Sequence, residues 1–346
     1  MKNLVILQGI LPFYRKPFFN ELCKLYKTTI VHSGSQQRDD TDLFMEKIFP
    51  VNTLRNLKWQ IGLFQYLNTI KPDIIIAGDD LKYINWILIR YLSPRNIIWS
   101  WWGVDDNKNK LLSKLKVKYL FPSTDNFLFY DQHTMNKIQN YGIKHDRLFL
   151  ANNTIHVEQK DFIKNFDNRF SFLNVGSLDV RKQNDILIRC FSKLVNTKGK
   201  HLKLYLIGNG TQKDYLISLI DKYSMGCNIF LVGKLESQDD LKNYYDLSLA
   251  SVSFGQAGLA ILQSMAFGVP FLTKKNAITG GEISNIKNGI NGILCEDSEK
   301  SLFESLVWCV DNPQKCQEMG LNSYEYYKAN ATIYGMVEAF KNAIEK

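Results

Sequence analysis

The stretch from Asp246 to Glu282, DLSLASVSFGQAGLAILQSMAFGVPFLTKKNAITGGE, constrains the fold more than any other part of the chain. It reads as strand, glycine-bearing loop, helix, strand and a second glycine-bearing loop. Residues 247–251 form an apolar run of strand length, and residues 259–266 form an apolar segment of helical length. Phe267-Gly268 closes that helix, and residues 269–272 start the next strand. Gly255 and Gly258 lie between the first strand and the helix, where they let backbone approach a ligand closely. A helix leaving such a loop presents free N–H groups and the positive end of its dipole, which suits a phosphate or diphosphate. Such units also occur as plain scaffold in α/β proteins, so the stretch alone leaves both uses open.

The rest of the chain repeats the pattern. Strands are expected at residues 3–8, 28–32, 74–76, 97–99 and 126–130, with helices at 13–26, 84–91 and 132–140. A polar, non-periodic segment at 156–169 suits an interdomain linker. A second alternation follows it. Strands at 172–175, 202–207 and 229–232 end in Gly176, Gly208 and Gly233, and helices start near 185 and 211. The expected fold class is therefore α/β, two doubly wound parallel-sheet domains with a cleft where they meet.

Charge separates the two halves. Residues 1–150 hold 21 Lys+Arg against 13 Asp+Glu, while residues 151–346 hold 22 against 21. Such an excess points to an anionic surface or ligand met by the first half. The segment after Ile97 runs WSWWGVDDNKNKLLSKLKVKYL and reads as a basic amphipathic helix, with Lys108, Lys110, Lys114, Lys116 and Lys118 beside Leu111, Leu112 and Leu115. It is either a solvated face over a core stripe or a contact with an anionic membrane. Trp101, Trp102 and Gly103 fall at the carboxyl end of a strand, where open α/β sheets bind ligands, though tryptophans also pack cores. Six scattered cysteines and five dispersed histidines offer neither a disulfide frame nor a metal cluster. They favour reduced thiols in the cytosol. No apolar run is long enough to span a bilayer, and no nucleic-acid motif accompanies the basic half.

The motifs FLNVGSLDVRKQNDILI (172–188), LYLIGNG (204–210), IFLVGKL (229–235), YYDLSLASVSFGQAGLAILQSMAFGVP (244–270) and GGEISNIKNGINGIL (280–294), in that order and spacing, resemble the family 4 glycosyltransferases. ILPFYRKPFF, the Trp-Trp-Gly strand end and LFLANNTI (148–155) are similar to a subgroup that builds bacterial surface polysaccharides such as capsule, O-antigen or exopolysaccharide. The resemblance implies the GT-B architecture: an acceptor domain over 1–160, a nucleotide-sugar domain over 161–325, and a last helix over 326–346 packing back on the first. It implies a retaining transfer without metal or cofactor, from a UDP- or GDP-linked sugar to a glycan or lipid-linked oligosaccharide. The protein would then sit on the cytoplasmic face of an anionic inner membrane.

Residue by residue, the resemblance places Lys182 on the donor diphosphate, beside Gly176 and the loop Gly255-Gln256-Ala257-Gly258-Leu259. Ser177 stands where the family usually has arginine, and Arg181 is the candidate replacement. Gly233, Lys234 and Leu235 match the region beside the nucleobase. The family commonly carries two glutamates where this chain has Gly255 and Gln263. The Gln263 amide can still hydrogen-bond a ribose hydroxyl, more weakly than a carboxylate, and Gly255 offers no side chain. Acceptor-side candidates are Gly9, Tyr14, Arg15, Lys16, Trp101, Trp102 and Gly103. Asp105 is the candidate to orient or deprotonate an acceptor hydroxyl, or else caps the helix after it. Two other classes stay open: a GT-B nucleotide-sugar epimerase, and a non-catalytic partner that binds nucleotide-sugar or membrane for another enzyme.

Overall fold

Apolar strands joined by amphipathic helices form two separate parallel sheets in the computed structural model, which describes residues 1–92, 94, 96–104, 118, 123–158, 169–235 and 237–346. One unit comprises Met1–His156 with Thr332–Lys346, and the other Val157–Ala331.

The first unit holds β1 (Asn3–Leu7), β2 (Lys27–His32), β3 (Met45–Ile48), a hairpin of β4 (Val51–Leu54) and β5 (Leu57–Gln60), β6 (Ile74–Gly78), β7 (Ile98–Trp102), β8 (Asn126–Phe129) and β9 (Leu148–Leu150). The sheet runs β3-β2-β1-β6-β7-β8-β9, all parallel. Its helices are α1 (Lys16–Cys23), α2 (Leu63–Ile70), α3 (Ile84–Leu92) and α4 (Gln132–Gln139). Strand alternation sends side chains to two cores. Val5, Leu7, Ile75, Ala77, Trp99 and Trp101 enter one, and Leu4, Ile6, Ile74, Ile76 and Trp102 the other. The order reverses between β1 and β6, which opens a crevice at their carboxyl ends.

The second unit repeats the plan with β10 (Ser171–Val175), β11 (Lys203–Ile207), β12 (Ile229–Gly233), β13 (Ser248–Val252), β14 (Phe271–Lys274) and β15 (Gly292–Cys295), in the order β12-β11-β10-β13-β14-β15. Its helices are α5 (Asn184–Lys198), α6 (Lys213–Lys222), α7 (Gln238–Asp246), α8 (Ala260–Ala266), α9 (Glu299–Asp311) and α10 (Pro313–Asn330). Here the reversal lies between β10 and β13, the strands that carry the Gly176 and Gly255 loops.

Helix α10 runs unbroken through Asn330, so the return to the first unit starts at Thr332 rather than at 326. Thr332 caps the last helix, α11 (Ile333–Glu345), by accepting from the Gly335 N–H at 3.2 Å. Phe340 of α11 is fully buried, its ring 4.9 Å from that of Phe18 and 5.1 Å from that of Trp102. Truncating such a ring costs about 3–5 kcal/mol.

Candidate functional site

In the second unit, three of the loops leaving the sheet close on one another through backbone. Gly176, with φ of +149°, donates its N–H to Ile207 O at 2.9 Å, and Leu178 N donates to Asn209 O at 2.9 Å. A short 3-10 turn over Val180–Lys182 follows, ending at Gln183 with φ of +54°. The Lys182 carbonyl then accepts from Gly255 N at 3.1 Å, and the Lys182 Nζ reaches across to donate to Gln256 O at 3.0 Å. Gly255 and Ala257 are zipped to the next loop by Ile278 N to Gly255 O and Ala257 N to Ile278 O, both 2.9 Å.

Two glycines make this closure possible. A Cβ on Gly176 would stand 3.0 Å from the Lys182 Nζ, so the ammonium occupies space that a side chain there would fill. A Cβ on Gly255 would collide with the Arg181 carbonyl and lie 2.9 Å from the Lys182 carbonyl carbon. The family glutamate at this place has no room, because the Lys182 turn presses against it. Gly258 faces open space.

Lys182 is buried, and burial pushes its amine below the ordinary lysine value. Arg181 adds to the depression, while Asp179 and Glu282 offset part of it. A diphosphate restores charge compensation to such a cation. Arg181 itself is exposed, with Nη2 3.9 Å from Asp179 Oδ2, and Ser177 is half-buried. Gln263 lies half-buried on α8, and its side-chain amide has no hydrogen-bond partner among the described residues. Tyr244 and Tyr245 are engaged elsewhere, ring against ring with Tyr205 and Phe267. Gly233 ends β12 with φ of +89° and accepts from Gly208 N at 2.8 Å. Lys234 beside it is exposed, and Leu235 packs against the cluster around Tyr245.

Sequence reasoning passed over Glu282. Its carboxylate is buried and accepts from Thr279 Oγ1 and Gly280 N, both at 2.8 Å, close enough to Lys182 to act on its charge. Only the Gly-Gly-Glu sequence hinted at it. Lys274 was passed over too, although it is buried, bonded to Gln183 Oε1 at 3.1 Å and paired with Asp297 at 2.8 Å.

In the first unit, Arg15 lies across the carboxyl ends of β1, β7 and β8. Its guanidinium sits 4.3 Å from the Trp102 ring centre and 5.6 Å from those of Tyr14 and Tyr130. Arg15 Nη2 donates to Tyr130 Oη at 2.5 Å, and Nη1 to the Gln8 side-chain oxygen at 2.8 Å once that amide is turned. Its Nε is buried without a partner, and among the described residues no carboxylate pairs with it. Gly103, with φ of +71°, leaves room for Tyr130, since a Cβ there would be 2.7 Å from that ring. Gly9 packs against Tyr83.

Three expectations change here. Trp101 and Trp102 are the last residues of β7 and are buried to 2% and 1% exposure, so they pack the cores. Trp102 is a floor for Arg15 rather than a wall open to ligand. Lys16 is buried between Asp39 and Asp42, at 2.5 and 2.6 Å, and pins the loop after β2 instead of facing an acceptor. Asp105 and the basic run, apart from the exposed Lys118, lie outside the described residues. Among the described residues no group of acidic, histidine or cysteine side chains is placed to hold a metal ion, and no helix is long and apolar enough to cross a membrane.

Residues 157–326 match the family described as Glycosyl transferases group 1. The chain is 20% identical over 318 residues to an uncharacterized glycosyltransferase of Methanocaldococcus jannaschii, covering 84% of this chain and 74% of that protein. It is 28% identical over 132 residues to the N-acetylgalactosamine-N,N'-diacetylbacillosaminyl-diphospho-undecaprenol 4-alpha-N-acetylgalactosaminyltransferase of Campylobacter jejuni, covering 37% of this chain and 35% of that one. Anabaena HepE, solved in complex with UDP, superposes with a TM-score of 0.75 at 14% identity over the whole of both chains. The second unit thus carries the match to the group 1 glycosyl transferases, and the fold is GT-B.

Proposed function

We propose that the protein is a retaining glycosyltransferase that moves a sugar, a hexose or a related one, from a nucleotide-sugar to a lipid-linked or glycan acceptor in the synthesis of a cell-surface polysaccharide. One observation carries this above the rest. Lys182 is a buried cation without a carboxylate bonded to its ammonium, locked by backbone hydrogen bonds against a glycine loop at the switch point of the sheet. In the transfer, the bond from the anomeric carbon to the diphosphate breaks as the acceptor oxygen bonds the same face. The hydroxyl proton leaves with the departing diphosphate, and Asp105 remains the candidate to orient that hydroxyl. Lys182 and the N–H groups of Gln256, Gly258 and Leu259 meet the charge that develops, without metal or cofactor, while those of Gly255 and Ala257 stay bonded to the Lys182 and Ile278 carbonyls. Removing one such donor typically slows a reaction by about two to three orders of magnitude.

Gln263 takes a ribose hydroxyl, and Gly233, Lys234 and Leu235 flank the base. Arg15, with Tyr14, Gly9 and Gly103, takes the acceptor side, where a guanidinium with no carboxylate partner among the described residues suits an anionic acceptor group. The Anabaena protein of the same fold was solved with UDP, which makes UDP-sugars the first donors to try before GDP-sugars. The Campylobacter relative's diphospho-undecaprenol substrate favours a lipid-linked acceptor, and with it a place on the cytoplasmic face of the inner membrane. The test is a panel of nucleotide-sugars, each with and without a polyprenyl-diphosphate oligosaccharide, read as nucleoside diphosphate release and sugar-extended product. Acceptor-dependent release, lost in Lys182→Ala, is expected. Release of free sugar without acceptor would point to an epimerase, and nucleotide-sugar binding without turnover to a partner subunit.

A further inference from the structure

The β4–β5 hairpin wears its apolar face outward. Its register pairs Leu54 with Leu57, Thr53 with Lys58, Asn52 with Trp59 and Val51 with Gln60. Alternation therefore puts Asn52, Leu54, Leu57 and Trp59 on one face and Val51, Thr53, Lys58 and Gln60 on the other. The second face is the packed one. Gln60 is fully buried, accepting from Trp86 Nε1 at 2.6 Å and donating to Ser33 Oγ at 2.9 Å. The Lys58 Nζ lies 4.9 Å from the Tyr83 ring centre. Solvent meets the first face, where Leu54 is 77% exposed, Leu57 51% and Trp59 39%, with Ile61 just beyond at 44%. A half-buried hairpin in water shows the reverse pattern.

Charge indicates what covers this face. From Lys47 to Pro72 the chain carries Lys47, Arg55, Lys58 and Lys71 and no carboxylate. Arg55 stands exposed at the hairpin tip with φ of +55°. The hairpin follows β3 at the carboxyl end of the sheet, and Lys58 N donates to Lys82 O at 2.7 Å. Tyr83, next to Lys82, packs on Gly9, so the hairpin shares the sheet edge that carries Arg15.

We propose that the face made by Leu54, Leu57 and Trp59 docks the first unit on an anionic lipid bilayer, with Arg55 and Lys47 on the headgroups. Leucines and a tryptophan bordered by basic residues suit the boundary between headgroups and acyl chains. A second copy of this chain fits less well. Two such faces would bring Arg55 near its equivalent with no carboxylate between them, over far less than the roughly 800 Å² per partner of a stable interface. The inference rests on the reading that the protein works at a membrane on a lipid-linked acceptor, and it assigns the docking to an element distinct from the lysine run at 108–118.

The test is sedimentation of the full chain with phosphatidylcholine vesicles, with and without phosphatidylglycerol. The parent binds the anionic vesicles, and Leu54→Ser with Leu57→Ser weakens binding about tenfold or more, the scale expected when two apolar side chains lose interfacial burial. Melting stays unchanged because both side chains are exposed. Trp59 gives a second readout, since Trp86, Trp99, Trp101 and Trp102 are buried at 2% or less and the half-buried Trp308 belongs to the second unit. Anionic vesicles shift the parent's emission to the blue, and Trp59→Phe removes most of the shift. Undiminished binding by the serine variant, while Lys114→Glu, Lys116→Glu and Lys118→Glu abolish it, would leave the membrane reading standing and overturn the hairpin. Failure of the parent to bind any vesicle defeats both. A concentration-dependent dimer dispersed by the serine variant also overturns the proposal, since the face would then pair copies.

Discussion

Replacing Gly255 by alanine adds one methyl group where the structure has no space. The new Cβ would collide with the Arg181 carbonyl and stand 2.9 Å from both the Lys182 carbonyl carbon and Gln183 Cγ, short of the about 3.5–4.0 Å at which carbon atoms rest. Neither side yields freely, because Gly255 is held by its own N–H to Lys182 O and its carbonyl to Ile278 N. Overpacking a well-packed site costs about 1–3 kcal/mol, and loss of the Gly255–Lys182 hydrogen bond adds about 0.5–1.5 kcal/mol. The expected destabilisation is about 2–4 kcal/mol, which lowers the melting temperature of a unit of this size by roughly 4–16 °C. Gly258→Ala is the control. Its Cβ meets open space and its φ is not left-handed, so its stability stays within about 1 kcal/mol of the parent. UDP affinity falls in both: at 255 because Lys182 is displaced, at 258 because the methyl crowds the diphosphate. The assays are thermal melting and calorimetric titration with UDP. A Gly255→Ala protein with the parent's melting temperature would refute the locked-loop argument, and full UDP affinity in Gly258→Ala would remove that loop from the diphosphate.

Lys182→Ala should lose transfer by about two to three orders of magnitude and weaken UDP binding while melting close to the parent, since Gln256 O keeps the Ser253 hydroxyl at 2.7 Å; parent-like turnover would make Lys182 scaffold. Because burial lowers its pKa in the free protein, Lys182 is costly to keep charged below that lowered value, and the cost disappears as pH rises toward the ordinary lysine range. Lys182→Met should therefore melt at or above the parent at neutral pH. UDP affinity should decline with rising pH before ordinary lysines titrate, with proton uptake on binding seen as a buffer-dependent heat; a flat profile that Lys182→Met also shows would exclude it. Gln263→Ala should weaken UDP binding by up to roughly tenfold, and Gln263→Glu should bind as well as the parent or better; equal affinities in all three proteins would take Gln263 out of the site.

What the sequence disclosed and what it hid follow from one physical distinction. Strands buried on both faces are short apolar runs, and in a parallel sheet they end at glycines where backbone must pass close. That is why 172–175, 202–207 and 229–232 were legible within a residue or so of β10, β11 and β12. Lys182 was singled out only by the resemblance, through its place after the Gly176 turn, and the structure adds that it is buried against the Gly255 loop. Glu282 and the Asp39–Lys16–Asp42 cluster were not, because each depends on which loop folds over which side chain. Trp101 and Trp102 misled for a related reason: a strand end marks the crevice, but alternation still turns each indole into a core.

Residues 33–70 hid the most, and they hid it by breaking the usual rule. Strand β3 is a largely exposed edge strand, with Glu46 and Lys47 between the exposed Met45 and Ile48. In the hairpin Lys58 and Gln60 turn inward beside Val51, while Leu54, Leu57 and Trp59 turn outward with Asn52. Alternation there is of strand type, yet it cannot be assigned a buried face by hydrophobicity, because the buried face is held by the Gln60 hydrogen bonds and the Lys58–Tyr83 contact. Trp59 stacks on Phe64 at 6.0 Å, but the exposed parts of Leu54, Leu57 and Trp59 gain nothing for the fold, since roughly 25 cal/mol is returned only for each Å² of apolar surface removed from water. The return must come from whatever covers that face, so the segment least legible as fold is the one most informative about a partner.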